Sequence, residues 1–162
     1  MAIHKLDFYD FDEIDYSLIA IHTSLEDYRL AYFINQKLHL NLNKSTKEIQ
    51  ITVKEGETQF SRFHYYDKKK EISWDLIQNK NDIIQQQKDQ NQSLFSNLDL
   101  EIATKVYMLP EFKKVEYFLK IQNCDNNLNI LEILNTLNTI DNIATTYVVD
   151  TNKIKSKNNL IF

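Results

Sequence analysis

Glycine and proline are almost missing from this chain: each occurs once in 162 residues, where average usage gives roughly 11 and roughly 8. Glycine lets a backbone adopt positive φ and approach a phosphate closely without steric cost. The glycine-rich cradles of P-loop and dinucleotide-binding folds are therefore excluded. A single cysteine, Cys124, rules out an internal disulfide framework and any zinc site built from cysteines. Arginine is scarce as well, present only as Arg29 and Arg62 among 19 basic residues, and 23 acidic residues bring the formal charge to −4. No basic patch of the kind that nucleic-acid binding uses is evident. The opening residues Met1–Asp7 lack the charged and then apolar run of a signal peptide. No uninterrupted apolar stretch approaches the roughly 18 residues of a membrane span. These absences predict a cytoplasmic protein with no membrane contact and no cofactor.

What is present is an ordinary globular composition, 43% hydrophobic and 26% charged, with a rich 12% of aromatic residues. A chain of this length buries roughly 70% of its unfolded surface, enough for one self-supporting domain over residues 1–162. An acidic-aromatic segment covers residues 1–15. Residues 16–22 then form a near-continuous apolar run, the pattern of a strand buried on both faces. Thr23 or Ser24 is placed to cap a helix reaching Leu38. Its stripe is Leu30, Ala31, Ile34 and Leu38, widened by Leu25, Tyr28 and Tyr32.

Alternation predicts strands at residues 48–54, 57–66 and 71–77, with Gly56 in the first turn and Lys68–Lys70 in the second. Residues 79–92 are polar and predict a surface loop. Strands are expected at 103–109 and 115–121, separated by Pro110. Asp125, Asn126 or Asn127 is placed to cap a helix bearing Ile130, Leu131, Leu134, Leu137 and Ile140. A strand at 144–149 precedes a frayed tail, 151–162, whose apolar end is free to dock. The predicted fold is α+β: a largely antiparallel sheet of about six to seven strands with two helices packed on one face. Two strand–helix–strand units, 16–54 and 115–149, carry inserted strands between them. The alternative is an α+β meander without this internal repeat.

Residues 109–117 read Leu109, Pro110, Glu111, Phe112, Lys113, Lys114, Val115, Glu116, Tyr117. This resembles the signature of the IPExxxVDY family of Bacteroidota: Ile-Pro-Glu, three variable residues, then Val-Asp-Tyr. Leu109 stands for Ile and Glu116 for Asp, and the other four positions match. The stretch through Leu38 also looks like that family's amino-terminal half. The resemblance implies a cytosolic setting and no particular activity. Physically, Pro110 ends a ladder because it has no N–H and holds its predecessor extended. Glu111 is placed to accept backbone N–H groups at the turn, and Tyr117 to open a buried strand. A functional reading instead puts Glu111 and Glu116 at a binding site.

The remaining candidates are weighed by chemistry. Asp10, Asp12, Glu13 and Asp15 lack the glycine and distal glutamate of a calcium loop, so no metal is expected. His22 ends a buried strand before a helix, where α/β folds place functional groups, and its partner in an enzyme would be a carboxylate such as Glu111. His4 and His39 are expected exposed, and Cys124 an incidental thiol. The aromatic strand gives the most suggestive surface: Phe60, Arg62, Phe63, His64, Tyr65 and Tyr66, with Trp74 on the next strand. Exposed, these side chains would stack on bases beside Lys68–Lys70 or dock a protein. Three functions follow from different classes. The first is a non-catalytic protein-interaction module working through a sheet edge and aromatic contacts, with a protein partner or by self-association. The second is an RNA- or ribosome-associated factor, and the third a small-molecule enzyme.

Overall fold

The apolar run after Asp15 becomes β1 (Tyr16–Thr23), with Leu18, Ile19, Ala20 and Ile21 fully buried. Alternate residues serve different cores: Ile19 and Ile21 face the helices, while Leu18 and Ala20 face the opposite side of the sheet. The computed structural model describes residues 14–87, 100–123 and 128–162. The expectations for the acidic residues 1–13, for 88–92, for Cys124 and for the caps at 125–127 lie outside the described residues.

Helix α1 (Asp27–Leu38) follows β1, then come β2 (Asn43–Lys44), β3 (Ile49–Val53), β4 (Gly56–Phe60), β5 (Arg62–Asp67) and β6 (Ile72–Gln78). The chain continues with β7 (Lys80–Gln87), β8 (Leu100–Tyr107), β9 (Tyr117–Gln122), α2 (Ile130–Leu137) and β10 (Ile143–Val148). Six strands form the main sheet in the order β10-β1-β9-β6-β5-β2. All its neighbouring pairs are antiparallel. The protein is an α+β fold.

Both helices lie over one face, where Leu30, Ala31, Ile34, Ile133 and Leu137 meet Trp74, Leu76, Leu119 and Ile121. Because β1 separates β9 from β10 and is antiparallel to each, β9 and β10 run parallel and α2 links them as a split β-α-β unit. The other face is covered by two hairpins, β3–β4 and β7–β8, which supply Ile49, Phe60, Ile83 and Val106. Gly56 holds φ +139°, the positive value its turn needs.

Several expectations are corrected. The first repeat closes differently: β3 leaves the main sheet to pair with β4, and the two-residue β2 takes the sheet position instead. The 57–66 strand is broken at Ser61 into β4 and β5, so its parts join different sheets. Residues 80–87 are strand rather than surface loop, because β8 supplies a full antiparallel ladder and the hairpin packs through Ile83. Glu26, not Thr23 or Ser24, occupies the cap of α1 and gives no side-chain bond. Thr23 Oγ1 serves Leu25 N and Asn142 O instead. Tyr28 and Tyr32 are each 59% exposed, since they lie on the face of α1 turned away from the sheet. Asn129 caps α2, accepting from the Glu132 N–H, and leaves Leu131 outward. The tail is docked: two 3₁₀ turns, Thr151–Lys153 and Lys157–Leu160, bury Ile154 and Leu160 in the hairpin-side core.

Candidate functional site

The family-like motif folds around a residue outside it. Asn79 is fully buried; its Nδ2 donates to the Phe112 and Val115 carbonyls, each at 2.9 Å, and its Oδ1 accepts from Leu109 N–H at 2.9 Å. Its backbone adds two bonds, donating to Glu116 O and accepting from Met108 N–H. One asparagine therefore closes residues 109–115 into a loop, with Pro110–Phe112 forming a 3₁₀ turn. Leu109, Val115 and Tyr117 point into the core. Tyr117 donates its hydroxyl to Leu25 O at 3.0 Å. Burial raises that hydroxyl to about 12, helped by the negative charges of Asp27, Glu26 and Glu116.

The two motif glutamates part company. Glu116 reaches His22: its Oε2 lies 3.3 Å from Nδ1 and also accepts Thr23 N–H, while Oε1 takes Lys80 Nζ at 2.9 Å. Thr23, Lys80 and Glu116 border an open pocket of about 230 Å³ that Ser24, Gln78 and Tyr117 also line. Glu111 instead faces the tail, accepting from Lys155 N at 2.8 Å, Ser156 N at 2.9 Å and Ser156 Oγ at 3.0 Å. Burial pushes its carboxyl up, but the bonds from Ser156, Lys155 and its own backbone outweigh this and hold it below the usual range. The carboxylate beside His22 is thus Glu116, not Glu111. Glu116 is the only carboxylate among the described residues in ion-pair contact with His22.

The aromatic strand does not form one surface. Phe60 is fully buried, and Phe63 and Trp74 are nearly so, because β4 covers the sheet and β5 and β6 turn these rings toward the cores. Tyr65 packs partly against the helix-side core, leaving Tyr66 exposed. Arg62 and His64 lie on the hairpin side, where Asp75 Oδ1 accepts Arg62 Nε at 2.7 Å and His64 Nδ1 at 2.8 Å. Asp75 is itself buried. A base-stacking platform of these aromatics is therefore not formed.

Lys120, within the run that predicted an apolar strand, is paired in register with Asp75 on β6 and Leu18 on β1. Its residue is 5% exposed, and its Nζ donates to Leu160 O at 2.8 Å beneath the rings of Tyr16 and Phe162. Burial lowers this ammonium; Asp75 and Asp15 oppose the change and Arg62 reinforces it. Nothing in the hydropathy pattern marked it, since the lysine interrupts a run of six strand residues only once.

The sheet has two outer edges of unlike character. β2 is two residues long and carries Lys44, which pairs with Asp27 and Glu48. Short, charged edges resist further pairing. β10 runs six residues, Ile-Ala-Thr-Thr-Tyr-Val, without charge or proline. Its Ala144, Thr145, Tyr147 and Val148 are exposed, and among the described residues its one ladder is with β1. Tyr147 stands 5.7 Å from the His22 ring, so the β10 edge and the His22–Glu116 pair adjoin.

Among the described residues, no cluster of three His, Cys, Asp or Glu side chains is placed to hold a metal, and no helix is long and apolar enough to cross a membrane. Comparison with protein-family models, curated proteins and solved structures finds no match.

Proposed function

We propose that this chain is a non-catalytic protein-interaction module that self-associates by pairing β10 with the β10 of a second copy. One observation carries the reading: a six-residue strand without charge or proline lies at the edge of the main sheet. An unpaired edge presents a row of N–H and C=O groups that template another strand. Homotypic antiparallel pairing sets residues at the strand centre against themselves or a near neighbour, so a charge there meets a like charge. β10 carries none, and its central Thr145 and Thr146 suit cross-strand pairing. Membership of the IPExxxVDY family, resting on residues 109–117, belongs to the same proposal and adds no activity to it.

Light scattering on the purified chain tests the reading. The expected mass is twice 19.3 kDa for the parent chain and 19.3 kDa for Thr145→Lys. Thr145 is exposed, so the lysine leaves the fold and the circular dichroism spectrum unchanged. A parent chain that stays monomeric, or a Thr145→Lys variant that stays dimeric, contradicts it.

A further inference from the structure

A buried ammonium needs a negative partner, or enough hydrogen bonds and dipoles to replace water. Lys120 has neither in full. Among the described residues no carboxylate is in ion-pair contact with it. Among the described residues one of its three N–H donors finds an acceptor, Leu160 O, and Nζ also faces the Tyr16 ring at 5.2 Å and the Phe162 ring at 4.6 Å. The nearby carboxylate of Asp75 is already engaged by Arg62 and His64.

Lys120 also lines an open pocket of about 250 Å³. Its lining is mixed: Ile14, Tyr16, Leu160, Ile161 and Phe162 form an apolar and aromatic part, Asp15, Gln122 and Asn158 a polar one, and Lys157 is a second cation. We propose that this pocket binds a small organic monocarboxylate, its carboxylate on Lys120 Nζ and its apolar body between Tyr16 and Phe162. The volume suits a ligand of about the size of a single substituted ring, just below the roughly 300–1,000 Å³ of drug-sized sites. The charges on the lining favour a monoanion: Lys120 and Lys157 stand against Asp15, which repels a dianion such as phosphate more strongly than a single carboxylate. The site is separate from the β10 edge and does not depend on it.

Benzoate and inorganic phosphate serve as the probes, titrated into the full chain and followed by NMR. Benzoate gives saturable shifts at Tyr16, Leu160 and Phe162 with a dissociation constant of about 1 mM, weakened by salt, and phosphate gives none. Lys120→Met abolishes the benzoate shifts. Replacing a buried charge with an apolar side chain of similar length keeps the fold, which the unperturbed spectrum of that variant verifies. Absence of saturable benzoate shifts, equal shifts with phosphate, or benzoate binding that survives Lys120→Met overturns the proposal.

Discussion

The Glu111 carboxylate accepts both the backbone N–H and the hydroxyl of Ser156, a residue 45 positions further along the chain. This contact fastens residues 151–162 against the hairpin-side core. Its acid dependence follows from the direction of the Glu111 shift. A carboxyl held below its usual value of 4.5 in the folded state stabilises above that value, and the contribution is lost as pH falls through the folded value. The protection of the Lys155 and Ser156 amides, measured against their intrinsic exchange rates at each pH, is therefore expected to fall on acidification below pH 4.5, ahead of protection in β9. In Glu111→Ala, exchange at both amides is already fast at neutral pH, and stability drops by about 2 kcal/mol.

Asn79 supports the same loop from beneath. Asn79→Ala strands the Leu109 N–H and the Phe112 and Val115 carbonyls without their partner. Orphaned buried groups cost about 1–3 kcal/mol each before relaxation. Chemical denaturation should show a loss of roughly 3 kcal/mol. A loss as small as that of a surface substitution would contradict the role given to Asn79.

Tyr117 sets an alkaline limit. Its hydroxyl is held near 12 in the folded protein against an ordinary 10.0. The stability it contributes is complete below 10 and is lost as pH rises through 12. Thermal melts of the parent chain should fall across that window. Tyr117→Phe removes this phase, at a cost of about 1 kcal/mol at neutral pH from the lost bond to Leu25 O.

Lys120 gives a prediction of opposite sign. A buried charge with no carboxylate in ion-pair contact among the described residues is replaced at little cost, or at a gain, by an apolar residue of similar size. Lys120→Met is expected to melt at or above the parent temperature, whereas Leu119→Ala, one residue away and fully buried, loses about 2–5 kcal/mol. A marked loss in Lys120→Met would show that the ammonium stabilises the fold through its bonds to Leu160 and the two rings.

What the sequence made legible was periodicity. The 16–22 run, the 130–140 stripe and the Gly56 turn each express a local rule, and the sheet and helices formed close to those positions. What escaped was set by distant partners. Residues 80–87 look like loop because their apolar content is small, yet a strand from 100–107 supplies the hydrogen bonds that make them β. Asn79 reads as another polar loop residue, and only the folded Leu109–Glu116 segment gives its amide a task. Phe60, Phe63 and Trp74 carry no local sign of whether a second layer covers them. The pairing of His22 with Glu116 spans 94 positions, so spacing offered no means to choose it over Glu111.

The central claim, that β10 pairs with its own copy, is tested most directly by isotope-filtered NOE spectroscopy on a mixture of labelled and unlabelled chains. Antiparallel pairing brings opposing Cα atoms to about 4.5–5.5 Å. Intermolecular NOEs are therefore expected among Ala144, Thr145, Thr146 and Tyr147, and they should vanish in Thr145→Lys. A dimer whose intermolecular NOEs arise elsewhere, or a mixture that yields none, would contradict the account.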